Sequence, residues 1–299
     1  MALAFLGLLS ALSCHNKTEG TADTILTGKA TLWVDESILP IVEDEQAVFE
    51  TQYKGRLTLK AAPENQIMQA FVQGNGPKIA MLTRTLTPQE QKVILSHKVN
   101  PKTTLWGYDG LALVVSKATK DTLMSWQELT QLMQNGSGSR YKGLVYDNIN
   151  SSTARALQQW VLHQAPAAEA YSMHNHREVL EYVTQHPGYV GVIGVNWLMQ
   201  PPIDCETLTE GLHTLYVENT DKKQYFYPSQ DEMASGQYPL MRPLYLINAQ
   251  GYAGLGKGFA AFIAGERGQR ILLKSGLVPE QYPSRKLVIR PQIHTKNEE

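Results

Sequence analysis

The sequence predicts an α/β fold built on a largely parallel sheet. Short apolar strands alternate with helical patterns along most of the chain, as in proteins whose parallel strands are joined by crossover helices. This alternation occurs once before the apolar run at residues 111–116 and begins again after it. Polar residues follow several predicted strands at their carboxyl ends, where parallel α/β sheets bind ligands. The fold class therefore already predicts where a site would lie.

The first half of the chain contains three strand and helix pairs. Strands are predicted at residues 31–34, 56–60 and 78–82, and helices at 38–49 and 63–71. Thr87-Pro88-Gln89-Glu90 has the capping-box pattern that begins another helix. Ser37 follows the first strand and Thr83-Arg84 follows the third, so these polar side chains are expected at one edge of the sheet.

The second half repeats the pattern after a central apolar stretch. Residues 99–106 and 111–116 are predicted as two strands around the turn Gly107-Tyr108-Asp109-Gly110. Strands are predicted next at 143–146, 189–193, 213–217 and 242–247, with helices at 126–133, from Ser151, at 178–184, at 259–264 and at 268–273.

The segment from Tyr146 to Leu157 is predicted to be a strand end, a turn and a helix start. Asp147-Asn148-Ile149-Asn150 has turn chemistry, and Ser151, Ser152 and Thr153 are good residues for the first turn of a helix. The first N–H groups of a helix lack intrahelical partners and carry a partial positive charge, so such a terminus can bind an oxyanion. An ordinary capped helix would have the same sequence pattern.

Composition limits the class of protein. The chain has 299 residues, 42% of them hydrophobic and 18% charged, which indicates one large or two medium globular domains. A net charge of −1 argues against general nucleic-acid binding. Cys14 and Cys205 are the two cysteines, so no disulfide framework or cysteine metal site is expected. No cofactor, metal site or catalytic residue is predicted.

The first 13 residues are almost wholly apolar and end in Ala11-Leu12-Ser13 before Cys14. This start resembles a bacterial lipoprotein signal, because the run is too short to span a bilayer and a small-residue cleavage pattern precedes the cysteine. We therefore expect a lipid on Cys14 and a polar tether through residue 27. The body would lie in the periplasm or at the cell surface, anchored to the membrane. A plain secretory signal and a buried N-terminal strand are the alternatives.

Several motifs in order resemble the phosphate-binding proteins of ABC importers. They are residues 109–115 (DGLALVV), 151–153 (SST), 189–194 (YVGVIG), 238–244 (YPLMRPL), 259–269 (FAAFIAGERGQ) and 276–279 (GLVP). The resemblance extends from about Lys29 to Pro279, and each motif is weak while the ordered set is fairly specific.

The resemblance implies a two-lobed periplasmic-binding-protein type II fold, a Venus flytrap with two crossover hinge strands at 110–116 and 242–247. Residues 1–27 would form the signal and tether. Lobe 1 would comprise residues 28–110 and 245–285, and lobe 2 would comprise residues 111–244. Residues 286–299 would form the tail. The expected function is capture of inorganic phosphate for the permease subunits of an ABC importer by a monomeric binder that is not an enzyme. The expected ligand-binding residues are Ser37, Thr83, Arg84, Asn150, Ser151, Ser152 and Thr153.

The sequence departs from this family in three places. The family's usual arginine before the serine loop falls at Asp147, and its Gly-Ser stretch after the second strand is replaced by Pro63-Glu64-Asn65. Some relatives have an aspartate after the third strand that accepts the ligand proton, and here Arg84 stands there. Arg84 is therefore predicted to supply the cation. Another oxyanion such as sulfate or molybdate stays an alternative ligand, because recognising hydrogenphosphate requires a proton acceptor.

Three rival functions have weaker support. Residues 251–258 (GYAGLGKG) match a nucleotide P-loop except that Gly258 replaces the magnesium-binding Ser or Thr, so a glycine-rich turn into a helix is favoured. His174 and His176 near Glu178 are two residues apart, which puts them on different sides of a helix, so a solvated helix start is favoured over a metal site. A hydrolase using Ser151 would need a base, and no nucleophile-elbow motif surrounds it.

Overall fold

The computed structural model describes residues 23–163, 165 and 167–284. The predicted signal with Cys14 and the predicted tail at 286–299 lie outside the described residues. Within them the strands are β1 (Thr27–Asp35), β2 (Lys54–Ala62), β3 (Ile79–Leu82), β4 (Lys102–Ser116), β5 (Leu123–Met124), β6 (Gly143–Tyr146), β7 (Tyr171–Ser172), β8 (Tyr189–Gly194), β9 (Leu212–Thr214), β10 (Tyr216–Asn219), β11 (Gln224–Phe226), β12 (Met241–Asn248) and β13 (Val278–Pro279).

The helices alternate with the strands in both halves. They are α1 (Leu39–Gln52), α2 (Glu64–Val72), α3 (Pro88–Ser96), α4 (Trp126–Asn135), α5 (Ser152–Val161), α6 (His176–Gln185), α7 (Asn196–Met199), α8 (Glu206–Glu210), α9 (Gln230–Ala234), α10 (Leu255–Ala264) and α11 (Glu266–Lys274). The predicted capping box at α3 is present, with both reciprocal bonds between Thr87 and Glu90. No helix in the described ranges is long and apolar enough to cross a membrane.

One curled sheet runs through the molecule in the order β2-β1-β3-β12-β4-β8-β6-β7. At one end β2, β1 and β3 are parallel, and at the other β8, β6 and β7 are parallel. Between them β12 and β4 run antiparallel to each other. The end with β1 to β3 is called lobe 1 below, and the end with β6 to β8 is called lobe 2. The predicted α/β fold with two lobes and parallel strands is confirmed.

β4 is a single strand of 15 residues, whereas the sequence pattern predicted two strands around a turn at 107–110. The glycines that suggested the turn serve close packing instead. A Cβ on Gly107 would lie 2.6 Å from the carbonyl oxygen of Val278, and one on Gly110 would lie 2.8 Å from Sδ of Met233. β4 pairs with β12 up to Gly110 and with β8 from Leu111, so it leaves one lobe and enters the other without a break.

The glycine-rich segment 251–258 contains a turn at 251–254 and the first residues of α10. This helix begins at Leu255, four residues earlier than predicted. The carboxylate of Asp23 accepts a hydrogen bond from the Leu255 N–H, and Gln250 Oε1 accepts from the Gly256 N–H at 2.8 Å. Asp23 and Gln250 thus accept hydrogen bonds from the backbone N–H groups that a bound phosphate would need. Gly258 is required for another reason, because a Cβ there would be built 1.6 Å from the carbonyl oxygen of Ile25.

Replacing Gly258 by Ser, which would complete the P-loop motif, should therefore destabilise the protein without creating a nucleotide site. We expect a loss of at least about 1–3 kcal/mol in unfolding free energy, as for an overpacked core, measured by chemical denaturation. Gly138→Ser is the matched control, since its nearest atoms would be 3.9 and 4.0 Å away. Equal stability of Gly258→Ser and the parent would contradict the packing explanation.

Candidate functional site

The carboxyl ends of strands from both lobes meet in one cleft. Ser37 follows β1, Glu64 follows β2 and Thr83 follows β3, while Asp147 follows β6 and Asn196 follows β8. All five side chains are buried. Parallel strands of an α/β sheet present their carboxyl ends on one edge, so this convergence follows from the topology.

Two serines join the lobes at the centre of the cleft. The hydroxyl oxygens of Ser37 and Ser152 are 3.0 Å apart, and both residues are fully buried. Ser152 is the first residue of α5, and the preceding Ser151 caps the helix by accepting from the Ala154 N–H at 3.3 Å. The predicted serine-capped helix start is therefore present, and it faces the loop after β1.

Arg242 supplies the cation beside these serines. Its Nη1 donates to the Ser152 hydroxyl at 3.0 Å, while Nη2 and Nε donate to Asp109 Oδ2 at 2.7 and 3.1 Å. Arg242 and Asp109 are register partners on β12 and β4, the two central strands. The sequence pattern predicts Arg242 only as the first residue of a hinge strand. A lone arginine at the start of an apolar strand is the signal that could identify it.

Asn196 and Gly194 complete the packing around Arg242. Asn196 Nδ2 donates to the Ser37 carbonyl at 2.9 Å and to Asp109 Oδ2 at 3.3 Å. A Cβ on Gly194 would lie within 2.9 Å of Asn196 Nδ2, the Ser37 carbonyl and Arg242 Nη2. Glycine at this position therefore lets the three groups approach one another.

Asp147, the residue at the position of the family's arginine, binds the other two hydroxyls of the loop. Ser151 donates to Asp147 Oδ1 at 2.7 Å, and the Thr153 hydroxyl donates to the same oxygen. Ser151 and Thr153 hydroxyls are also 2.6 Å apart. An internal carboxylate therefore takes the donors that the resemblance assigned to the ligand.

Thr83 and Arg84 lie around Glu64 instead of around the serines. Glu64 is 3% exposed and accepts from Thr83 at 3.2 Å and from Arg84 Nε at 3.2 Å. From lobe 2, Arg155 Nε and Nη2 donate to its two oxygens at 2.5 and 3.0 Å. Arg84 also binds both oxygens of Glu90 at 2.8 Å. The guanidinium predicted to supply the cation is thus paired with two carboxylates.

Asn150 contributes through its backbone. Its carbonyl accepts from the Asn65 N–H at 3.4 Å, which links the loop before α5 to the start of α2 across the cleft. The Asn150 side chain is exposed, and its own N–H donates to Asn148 Oδ1 at 2.8 Å. Of the predicted ligand-binding residues, the structure thus brings Ser37 and Ser152 into direct contact, places Ser151 and Thr153 on Asp147, and places Thr83 and Arg84 on Glu64.

His176 is fully buried, which differs from the solvated helix start favoured by the sequence analysis. Its Nδ1 lies 2.6 Å from Glu36 Oε2 and 3.6 Å from Asp147 Oδ2, and its ring stacks on Trp197. Burial acts to lower the pKa of His176, but the carboxylates of Glu36 and Asp147 outweigh it and raise this pKa. His174, by contrast, is exposed and contacts Glu178, its neighbour in sequence.

Three buried polar atoms in the cleft have no hydrogen-bond partner among the described residues: Asp35 Oδ2, Asn196 Oδ1 and His176 Nε2. The orientation of the Asn196 amide is fixed by its two Nδ2 contacts, so its free atom is the acceptor oxygen. Burial and the nearby Glu64 raise the pKa of Asp35 to about 6, against the opposing charge of Arg242. Buried polar groups are normally satisfied, so this cleft has unused capacity for a polar ligand or water.

A family model described as the PBP superfamily domain matches residues 16–267. The chain belongs to the PBP superfamily. The resemblance to periplasmic-type binding proteins is thereby confirmed at the level of the superfamily. A comparison with curated proteins finds no match.

Solved structures show the same fold as this PBP superfamily chain. A substrate-binding protein with bound phosphate from Clostridium perfringens has 17% identity and a TM-score of 0.68, covering 85% of this chain and 100% of its own. An ABC-type phosphate transport receptor from Vibrio cholerae has 17% identity and a TM-score of 0.60, covering 83% and 99%. OxyR from Corynebacterium glutamicum has 11% identity and a TM-score of 0.57, covering 87% and 70%. Similarity at this level shows the fold alone, since OxyR shares it with phosphate-binding proteins.

The raised pKa of Asp35 predicts a pH dependence of folding in this PBP superfamily protein. A carboxyl group with a higher pKa in the folded state contributes stability that is complete below its unfolded pKa near 3.8 and is lost as the pH rises to about 6. Asp35→Asn keeps the acceptor that binds the Ser37 N–H but does not titrate. Relative to this variant, the parent should lose about 2 kcal/mol of unfolding free energy between pH 4 and 7.

Denaturant titrations across this pH range measure the difference. Asp231→Asn, a change at an exposed position in the first turn of α9, is the control and should leave the parent's pH profile unchanged. Parallel profiles for the parent and Asp35→Asn would show that Asp35 titrates normally.

Proposed function

We propose that this protein is an extracytoplasmic solute-binding protein that captures inorganic phosphate between its lobes and delivers it to the permease of an ABC importer. Membership in the PBP superfamily supports a binding function. The structural similarity to a substrate-binding protein with bound phosphate and to a phosphate transport receptor supports the ligand class.

The interlobe contact between Ser37, Ser152 and Arg242 carries this proposal. It brings two hydroxyls, a guanidinium and the N-terminus of α5 to one buried point. These are the donors that bind oxyanions, and a guanidinium contributes a full positive charge to them. An anion at this point would bind both lobes at once, so its binding energy would stabilise the closed arrangement.

The free acceptors favour a protonated oxyanion. Asp35 Oδ2 and Asn196 Oδ1 have no donor among the described residues, and the P–OH group of hydrogenphosphate could donate to either. Sulfate and molybdate have no proton to donate at neutral pH. The carboxylates of Asp35 and Asp147 would also repel an unprotonated dianion, so we favour phosphate over these alternatives.

The other predicted ligand-binding residues have supporting parts in this proposal. Ser151 and Thr153 orient Asp147, and their hydroxyls reach the ligand only by rotating away from that carboxylate. Thr83 and Arg84 act through Glu64, which holds Arg155 across the cleft. The Asn150 loop contributes backbone contacts.

The lobe boundaries are part of the same proposal. We infer lobe 1 at residues 28–110 and 245–285 and lobe 2 at 111–244, with β4 and β12 as the hinge. The change of the pairing partner of β4 between Gly110 and Leu111 supports the first boundary. Opening about such strands is the general behaviour of periplasmic-type binders.

Binding without catalysis is favoured over a hydrolase. The Ser151 hydroxyl bonds to Asp147 and Thr153, and no hydrogen bond among the described residues joins it to a histidine. His176 directs Nδ1 to Glu36 instead. The base within hydrogen-bond reach of Ser151 is the Asp147 carboxylate, which Thr153 shares, so the Ser–His pair typical of serine hydrolases is not formed among the described residues.

Isothermal titration calorimetry with phosphate, sulfate and molybdate tests the proposal. The parent should bind phosphate and discriminate against the other two ions. Ser152→Ala should weaken phosphate binding about 10- to 100-fold, since a hydrogen bond to a charged group contributes about 1.5–3 kcal/mol. Arg242→Gln should weaken it more, because it also removes the charge.

Matched variants make the result specific. Ser125→Ala changes the serine that caps α4 in the same lobe and accepts from the Glu128 N–H, so this variant should bind like the parent. Arg84→Ala should have a smaller effect than Arg242→Gln, because Arg84 contacts Glu64 and Glu90. The proposal fails if folded Ser152→Ala and Arg242→Gln bind phosphate with the parent's affinity, or if the parent binds none of the ions.

We also propose a lipid anchor at Cys14, supported by the apolar start and the Ala11-Leu12-Ser13 pattern before it. Cys14→Ser should move the protein from the membrane fraction to the soluble fraction and abolish incorporation of labelled palmitate. Cys205→Ser is the control, because Cys205 is buried in the folded body. Retention of Cys14→Ser in the membrane fraction together with an unlabelled parent would remove the anchor from the proposal.

A further inference from the structure

We propose that Glu36, Asp147 and His176 form a binding site for a divalent first-row transition metal ion, with Zn²⁺ as the probe. The three residues come from different segments: the turn after β1, the loop after β6, and the start of α6. One side chain is from lobe 1 and two are from lobe 2, so an ion here would bridge the cleft. The proposal rests on the proposed function, because the site shares Asp147 with the serine loop.

The distances between the ligand atoms suit a small ion. His176 Nδ1 lies 2.6 Å from Glu36 Oε2 and 3.6 Å from Asp147 Oδ2, and all three ligand atoms lie within 4.8 Å of one another. Tetrahedral zinc with bonds of about 2.0–2.2 Å places its ligand atoms about 3.4 Å apart. The Glu36 carboxylate would therefore shift by roughly 0.8 Å from Nδ1, while the His176 to Asp147 separation already fits.

The donor set indicates which ions fit. One imidazole nitrogen and two carboxylates match zinc and its first-row neighbours, whereas calcium and magnesium prefer sites built of oxygen alone. Three protein ligands leave a fourth position for water or for a ligand atom.

Asp147 has an unused oxygen directed at this cluster. Its side chain is 3% exposed, and both hydroxyl donors, Ser151 and Thr153, bind Oδ1. No hydrogen bond among the described residues reaches Oδ2, which faces His176 Nδ1. Hydrogen bonds that hold one carboxylate oxygen and leave the other free are typical of outer-shell support for a metal ligand.

The other two ligands are also held in place. The His176 N–H donates to Glu36 Oε1 at 3.1 Å, so the backbone fixes the Glu36 carboxylate. The His176 ring stacks on Trp197 with 5.1 Å between centroids. These contacts restrain Glu36 and His176 near their ligating positions, and little ordering would remain when an ion binds.

The charge of the cleft also favours a cation. Arg242 is paired with Asp109, and among the described residues His176 is the one basic group within 4 Å of the Glu36 and Asp147 carboxylates. A divalent ion would offset the negative charge of the Glu36 and Asp147 carboxylates. A bound metal would thereby raise the affinity of the neighbouring serine site for an oxyanion.

Calorimetric titration of the chelator-treated full-length protein with Zn²⁺, without phosphate, tests the site. The parent should bind one ion. His176→Phe keeps a ring against Trp197 but offers no ligand, and it should weaken zinc binding by about 100-fold or more. Asp147→Asn is the second variant, in case His176→Phe does not fold. The double variant His174→Ala/Glu178→Gln removes the exposed pair and should bind zinc like the parent.

Phosphate titrations with and without zinc separate this inference from the proposed function. Zinc binding that depends on His176 or Asp147 supports the site, and tighter phosphate binding with zinc supports the coupling. Phosphate binding with no zinc binding would overturn the metal site and leave the proposed function intact. Zinc binding with no anion binding would do the reverse. Equal zinc affinity in the parent and in folded Asp147→Asn and His176→Phe would also overturn the site.

Discussion

The buried pair of Arg242 and Asp109 determines how the two lobes meet. It lies on the two central strands, and both residues are at most 1% exposed. Burying two charges is costly unless further hydrogen bonds satisfy them, and here Asn196 and Ser152 do so from lobe 2. Removing one partner of such a pair costs about 3–5 kcal/mol. An apolar pair could replace its stability, but only the ion pair also directs a guanidinium at the serines.

Several polar contacts cross the cleft. They join Ser37 to Ser152, Glu36 to His176, and Glu64 to Arg155. Water can replace such hydrogen bonds when the lobes separate, so each contributes about 1 kcal/mol net, or somewhat more where it is charged. β4 and β12 are paired along residues 102–110 and 241–248. A cleft of this kind can open and close at modest cost, which is what a reversible binder requires.

Local signals in the sequence were sufficient for the elements but not for the partners. The capping box at Thr87 and the serine start of α5 were predicted because each depends on neighbours within a few residues. The burial of His176 and the position of Arg242 do not follow from local patterns, because their partners Glu36 and Asp109 are 140 and 133 residues away. Hydrophobic periodicity carries no information about such pairs. The sequence predicts two strands where β4 is one, because glycines required for close packing cannot be distinguished by sequence from glycines required for a turn.

The chain differs from the family it resembles through carboxylates inside the cleft. The Glu64 carboxylate accepts hydrogen bonds from Arg84 and Arg155, and the Asp147 carboxylate accepts from Ser151 and Thr153. An incoming anion therefore competes with these two carboxylates for the same donors. Such competition lowers the affinity for every anion. It also makes binding selective, because a protonated anion or an anion bound together with a cation adds less negative charge to the cleft than an unprotonated dianion alone. Fold alone cannot distinguish these outcomes, since OxyR has the same architecture. Asp147 connects the serine loop to His176, because Ser151 and Thr153 donate to its Oδ1 while its Oδ2 lies 3.6 Å from His176 Nδ1.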